Sequence, residues 1–345
     1  MGAVRPYAHA VSISAQSAVV MDADSGRVLY EKDADRQSLI ASTTKIMTAL
    51  VVCQECNVLD RVQIMPEAVG IEGSSMYLKA GEVLTVQELL YGLMLHSGND
   101  AAVALAIYCG GTVEGFVQLM NDYARRMDLC NTNFENPNGL DSPHHYSTAR
   151  DLAVLASEAM KNPIFTKTVS TKSVKVTERH LTNHNKLLWR YPGADGVKTG
   201  FTKAAGRILV SSATREGRRL VAVTINAPND WQDHKTLLDL GFEQYALKQL
   251  VQKGEIVGEL PILSGRKKEA DLVAGEDFSW PMAPGEQVTL ELNLGDFRFA
   301  PVTQGEKAGH AHILVGGKAV GKIPIFWGET VEEEKPPAKK WKFIP

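Results

Sequence analysis

The chain has no long apolar run, no surplus of charge and little cysteine, and each shortage removes a class of function. A membrane-spanning helix needs about 20 consecutive apolar residues. Runs such as Ile46-Met47-Thr48-Ala49-Leu50-Val51-Val52 stop well short of that. With 37 Lys and Arg against 40 Asp and Glu, the formal charge is −3. No basic field exists to attract nucleic acid, so no nucleic-acid partner is expected. The four cysteines are Cys53, Cys56, Cys109 and Cys130. Cys53-x-x-Cys56 invites a redox or zinc reading, but tetrahedral zinc needs two more ligands. Buried free thiols fit better. His310-Ala311-His312 puts two imidazoles on one face of a strand, which reads as a solvated strand. No metal and no cofactor is expected.

What is present is ordinary in bulk and specific in detail. The length, 345 residues with 44% hydrophobic, exceeds one comfortable core and implies two domains. Ala18-Val19-Val20-Met21 and Arg27-Val28-Leu29-Tyr30 flank Asp22-Ala23-Asp24-Ser25-Gly26 as a hairpin. Helical patterns dominate to about residue 162. Strands return at 207–213 and 219–226, and a helix is expected over Asp230–Gln249. Strands at both ends of a helical middle imply an α+β fold, one antiparallel sheet flanked by helices with a helical subdomain. From about Gly254, short Val/Ile/Leu strands alternate with Gly/Pro turns, which predicts a small all-β C-terminal domain. The expected division is 1–252, 253–330 and a disordered tail over 331–345, where Glu332-Glu333-Glu334 gives way to Lys339-Lys340-Trp341-Lys342-Phe343.

Three short motifs carry the chemistry, in the order Ser42-Thr43-Thr44-Lys45, Ser97-Gly98-Asn99, Lys198-Thr199-Gly200. Ser-x-x-Lys alone is weak, since about one match is expected by chance in a chain this long. A second copy, Ser264-Gly265-Arg266-Lys267, sits among glycine and charge and reads as a surface turn. The first copy opens a buried helical run. Ser42 is expected in its first turn, with Lys45 on the same face and the positive helix end nearby. A lysine held in a dry site loses its charge readily, so a neutral Lys45 can take the Ser42 proton. Ser97 and Asn99 lie in a polar tripeptide between two apolar helical runs. Lys198-Thr199-Gly200 fits a strand at a sheet edge. Gly200 there lets another backbone come close, while Lys198, Thr199 and Thr202 offer a cation and hydroxyls to a carboxylate. Together these residues form an inventory for acyl transfer through a serine ester.

Further segments extend the motifs. They include Gly73-Ser74-Ser75-Met76-Tyr77-Leu78, Asn136-Pro137-Asn138-Gly139-Leu140, His145-Tyr146-Ser147-Thr148-Ala149-Arg150-Asp151-Leu152 and Asn185-Lys186-Leu187-Leu188-Trp189. On these, over about residues 15–330, the chain resembles the serine-type D-alanyl-D-alanine carboxypeptidases, low-molecular-weight penicillin-binding proteins of the peptidase S11 type. The resemblance implies a β-lactamase/transpeptidase-like fold and removal of the terminal D-alanine from peptidoglycan stem peptides, with β-lactams as inhibitors. It makes Ser42 the acylated nucleophile and Lys45 its base. Ser97 would relay a proton, Asn99 would hold the substrate backbone, and Lys198 would sit near Ser97. Thr199 would meet the terminal carboxylate, beside Gly200, Phe201 and Thr202, and the N–H groups of Ser42 and Phe201 would form the oxyanion hole. Relatives often carry a basic residue just before Asn-x-Leu-Leu-Trp to grip that carboxylate, a place held here by His184. The resemblance also implies export to the cell-wall side of the membrane. No signal h-region is present, and Ala8-His9-Ala10 resembles the end of a cleaved signal, so a processed or engineered form is expected. The basic aromatic tail reads as the threshold of a membrane anchor absent from this chain.

Two rival functions remain at this stage. A serine β-lactamase needs a base for deacylation, and Glu135 beside Asn136-Pro137-Asn138-Gly139 is in no recognisable pattern for one. A non-catalytic binder of β-lactams or muropeptides would not need all three motifs intact.

Overall fold

In Ser17–Asp22 (β1) every residue is buried, yet successive side chains enter different cores, as the two-residue period of a strand requires. Val19 and Met21 pack with the helical subdomain, whereas Ala18 and Val20 pack beneath a single helix on the other face. A strand covered on both sides reads as a continuous apolar run, which is how 18–21 looks in the sequence. The molecule is a computed structural model that describes residues 11–335, and Ala8-His9-Ala10 and the tail from Pro336 lie outside the described residues. Its chain divides into two units between Tyr245 and Ala246.

The first unit is built on a five-stranded sheet. Its strands are β1, Val28–Lys32 (β2), Ala194–Thr202 (β3), Gly206–Arg215 (β4) and Arg218–Ile225 (β5). The spatial order is β2-β1-β5-β4-β3, antiparallel throughout, so the strand with Lys198-Thr199-Gly200 is an edge. Chain ends meet in the middle of the sheet, where β1 pairs with β5. Arg218 and Asp22 close that junction with a buried ion pair at 2.7 Å.

The helical subdomain surrounds Lys45–Glu55 (α1), in which every residue from Lys45 to Cys53 is buried. Around it lie Val86–Leu95 (α2), Asn99–Gly110 (α3), Val113–Arg126 (α4), Ala149–Ala159 (α5) and Pro163–Ser170 (α6). Their starts are written locally. Thr85 and Glu88 form a reciprocal capping box on α2, Thr112 and Thr148 cap α4 and α5, and Asn162 precedes Pro163 at α6. These are the residues that satisfy the free N–H groups of a first turn. On the opposite face of the sheet lies Asp230–Gln244 (α7). The α+β architecture is the one expected.

The helix expected over Asp230–Gln249 ends early, at Gln244. Ala246–Val251 is instead a strand (β6) in the second unit, although its Ala, Leu, Lys and Gln favour helix. Pairing with Phe278–Met282 outweighs that weak local preference. The second unit also contains a six-stranded sheet. Its strands are Ile256–Leu263 (β7), Glu269–Ala274 (β8), Val288–Asn293 (β10), Arg298–Phe299 (β11), Lys307–Val315 (β12) and Lys318–Trp327 (β13), with Phe278–Met282 as β9. The order is β10-β12-β13-β8-β7-β11, and only the short β7–β11 contact is parallel. Ser264-Gly265 turns the chain between β7 and β8, as read from the sequence. The expected tail at 331–345 starts too soon. Val331 is buried and exchanges two backbone hydrogen bonds with Val302, and Glu333 bridges Gly265. Of the four cysteines, all free, only Cys53 is buried, and Cys130 is exposed rather than buried as expected.

Candidate active site

Ser42 lies in a 3-10 turn, Ala41–Thr44, immediately ahead of α1. It is not in the first turn of the α-helix as expected, because the chain must reverse sharply after Ile40. Ala41 takes φ +44° to do so, a left-handed conformation costly for a residue with a Cβ. Neighbouring backbone holds the turn from two sides. A Cβ at Gly139 would come within 1.9 Å of the Ala41 carbonyl oxygen, and one at Gly200 would sit 3.3 Å from Ile40 O and Thr43 N. The close approach expected at Gly200 is therefore made by Ser42's own turn.

Lys45 is wholly buried at the head of α1. Its Nζ donates to Ser42 Oγ at 3.1 Å, to Asn99 Oδ1 at 2.6 Å and to the Asn138 carbonyl at 2.5 Å. Burial drives its pKa well below the usual lysine value, and Lys198 pushes it further down against the opposing pull of Asp100. Asn99 opens α3, and its amide nitrogen donates to the Glu72 carbonyl. Just before it, Ser97 is buried and adopts φ +62°. This is strain of the kind that concentrates at functional sites.

Lys198 is also buried, its Nζ donating to the Thr199 carbonyl at 2.9 Å, and burial brings its pKa down to about 7. The cleft, about 350 Å³, is lined by Ser42, Ser74, Ser97, His184, Thr199, Gly200 and Phe201 together with residues of the sheet and α7. His184 stands exposed at its rim, its backbone N–H on the Leu95 carbonyl at 3.2 Å. Partial burial of the ring, then Lys198 and His96, hold its pKa to about 4. Thr202 does not line the cleft. Its hydroxyl donates to Asp141 and accepts from the Ala205 N–H, so it fixes the β3–β4 turn.

Three residues that shape the site were missed in the sequence. Buried Asp100 accepts from Ser75 Oγ at 2.6 Å and from the N–H groups of Met76 and Leu78 at 3.0 Å, holding the 73–78 segment against α3. Asn138 supplies the carbonyl for Lys45. His145 accepts the Glu135 N–H at Nδ1. The proton must then sit on Nε2, which donates to Thr44 Oγ1 at 2.7 Å, and burial lowers the ring's pKa to about 4. Glu135 itself accepts from Ser142 and the His144 N–H and is absent from the cleft lining.

Comparison with known proteins agrees with this geometry. Residues 4–229 match the family model described as D-alanyl-D-alanine carboxypeptidase, and residues 245–333 match the C-terminal domain of penicillin-binding protein 5. The chain is 35% identical over 335 residues to D-alanyl-D-alanine carboxypeptidase DacF of Bacillus subtilis, covering 92% of this chain and 86% of that one. Among solved structures, penicillin binding protein 5 from Haemophilus influenzae superposes with TM-score 0.79 at 31% identity, covering 96% of this chain and all of the other. The Streptomyces K15 DD-transpeptidase superposes with TM-score 0.64 at 37% identity over 67% of this chain and 98% of its own. With a family model matched over well over half its length, and relatives matched nearly end to end, the chain belongs to the peptidase S11 family of D-alanyl-D-alanine carboxypeptidases.

Proposed function

We propose that this chain removes the C-terminal D-alanine from D-Ala-D-Ala stem peptides through an ester on Ser42. The observation that carries the reading is Lys45, a fully buried amine in contact with Ser42 Oγ, Asn99 and Asn138. Three acceptors suit an ammonium. Once the proton is lost, two N–H bonds stay with Asn99 and Asn138 and the lone pair faces Ser42. That amine takes the hydroxyl proton as Ser42 attacks the amide carbonyl. Backbone N–H groups of Ser42 and of Phe201 on the edge strand receive the oxyanion. Ser97, which lines the cleft with Ser42, passes a proton to the departing amine. Terminal D-alanine leaves, and water then cleaves the ester to restore the free serine. A β-lactam enters the same way and leaves Ser42 acylated.

A β-lactamase reading finds no support in the cleft. Among the described residues, the one carboxylate lining it is Asp230, which is ion-paired to Arg207. The substrate belongs to the cell wall, so the same reading puts the enzyme outside the cytoplasm. Among the described residues no helix is long and apolar enough to cross a membrane, and the proposed membrane association rests on residues outside them. Intact-mass measurement after benzylpenicillin, with peptide mapping, tests the assignment. One adduct at Ser42 and release of D-alanine from diacetyl-Lys-D-Ala-D-Ala are expected. An adduct at Ser97 or Ser264, or binding without turnover, overturns it.

A further inference from the structure

A carboxypeptidase must recognise a free C-terminus, and neither cation expected from the sequence is well placed to do so. With its pKa held to about 4, His184 is neutral at pH 7. Lys198 is buried, bonded to the Thr199 carbonyl and only partly charged near neutrality. The other cations lining the cleft are Lys186 and Arg207. Lys186 is an exposed point charge on a flexible stem.

Arg207 is built differently. It stands on β4 directly opposite Phe201 of β3, with Leu209 opposite Thr199. Arg207, Phe201 and Thr199 therefore share one face of the sheet, with Arg207 and Thr199 diagonal neighbours at roughly 7–8 Å. Asp230, the first residue of α7 and buried, accepts from Arg207 Nη2 through both oxygens at 2.9 and 2.8 Å. The guanidinium lies 6.0 Å from the Trp231 ring centroid. Both bonds to Asp230 leave from Nη2, so Nε and Nη1 remain for a ligand. The side chain is 44% exposed. A planar fork held from behind and open in front suits a carboxylate better than a loose ammonium does.

We propose that Arg207 binds the free C-terminal carboxylate of the substrate, with Thr199 as its hydroxyl partner and Asp230 as the positioning residue behind it. The inference rests on the carboxypeptidase reading of the site.

The test compares diacetyl-Lys-D-Ala-D-Ala with its C-terminal amide, and benzylpenicillin with its methyl ester. Arg207→Gln alone strands the buried Asp230, so it is combined with Asp230→Asn. The double variant should lose roughly 10- to 100-fold in kcat/KM for the free acid and in acylation by benzylpenicillin. The amide and ester should change far less. Asp230→Asn alone should lower the acid-to-amide ratio, which a merely structural role would not move. Should the double variant not fold, Arg207→Lys keeps the charge and loses the fork, and a several-fold drop in the same ratio is expected. Equal losses on acid and amide, or an unchanged ratio, overturn the assignment while leaving the carboxypeptidase reading intact. A wild-type chain that neither forms the Ser42 adduct nor turns over the acid removes both.

Discussion

The two units differ in what they bury. The first hides two lysines, several aspartates and asparagines, and His145 and His234. Among the described residues of the second, every side chain in the buried core is apolar, from Val251 and Ile262 to Ile323 and Trp327. Burying polar groups costs stability unless each finds a partner. Lys45, Asn99 and Asp100 all do. A fold gains nothing from an amine at the centre of a helical core, so its presence there is best explained by chemistry. The second unit shows what the chain builds where no such demand applies.

The strongest test of this contrast is Lys45→Met. Loss of the base should slow acylation by on the order of 10²–10⁴-fold, while the melting temperature falls only modestly, because relief from burying an amine is offset by leaving the Asn99 Oδ1 and the Asn138 carbonyl without their donor. Stopped-flow acylation and a thermal melt check both. Near-normal acylation, or a collapse in stability, would dissolve the distinction. Ile323→Ala is the mirror experiment. Ile323 is fully buried in the second unit, and its truncation should cost about 2–5 kcal/mol by denaturant unfolding with the acylation rate at 25 °C unchanged.

Acid sharpens the comparison further. Burial depresses His145, His184 and His234 to about 4, 4 and 3, against about 6.5 in an unfolded chain. Between those values the unfolded state binds more protons, so stability falls as pH drops from about 6.5 toward 4. All three lie in the first unit. His234→Gln should flatten the slope of melting temperature against pH in that window. An unaltered slope would mean His234 is protonated when folded. The smallest expected effect is on a chain ending at Tyr245, which should still be acylated by benzylpenicillin. A folded truncation that is not acylated would place part of the chemistry in the second unit.

Much of the first unit was legible in the sequence because its signals are local. A short apolar run beside the turn Asp22-Ala23-Asp24-Ser25-Gly26 gave β1, and an apolar stretch with Ala, Leu and Met gave α1. Three motifs in order gave Ser42, Lys45, Ser97, Asn99, Lys198 and Thr199, which line the cleft or bond to groups that do. What was missed depends on partners distant in the chain. Nothing near Asp100 announces that it will gather Ser75, Met76 and Leu78 from 22 to 25 residues away. Thr202 looks like one more hydroxyl on a substrate strand until Asp141 is seen to take it. Ala246–Val251 favours helix by composition and becomes a strand only because Phe278–Met282 is there to pair with it. Val331 looks like the start of a tail until Val302 claims its backbone. His184 looks like a cation by its place just before Asn185-Lys186-Leu187-Leu188-Trp189, and its surroundings hold its pKa down to about 4.

The glycines at 139 and 200 carry a last consequence. Having no side chains, they let backbone pack against the Ser42 turn from both sides. The entropy of orienting the nucleophile is therefore lost during folding, before any substrate arrives, and need not be lost again at each turnover. For an acylating inhibitor the same packing removes an escape. On the proposed mechanism, a site packed this way does not easily swing a bulky adduct toward water, so slow release of a bound β-lactam would be a property of the backbone as well as of a cleft whose one lining carboxylate, among the described residues, is Asp230.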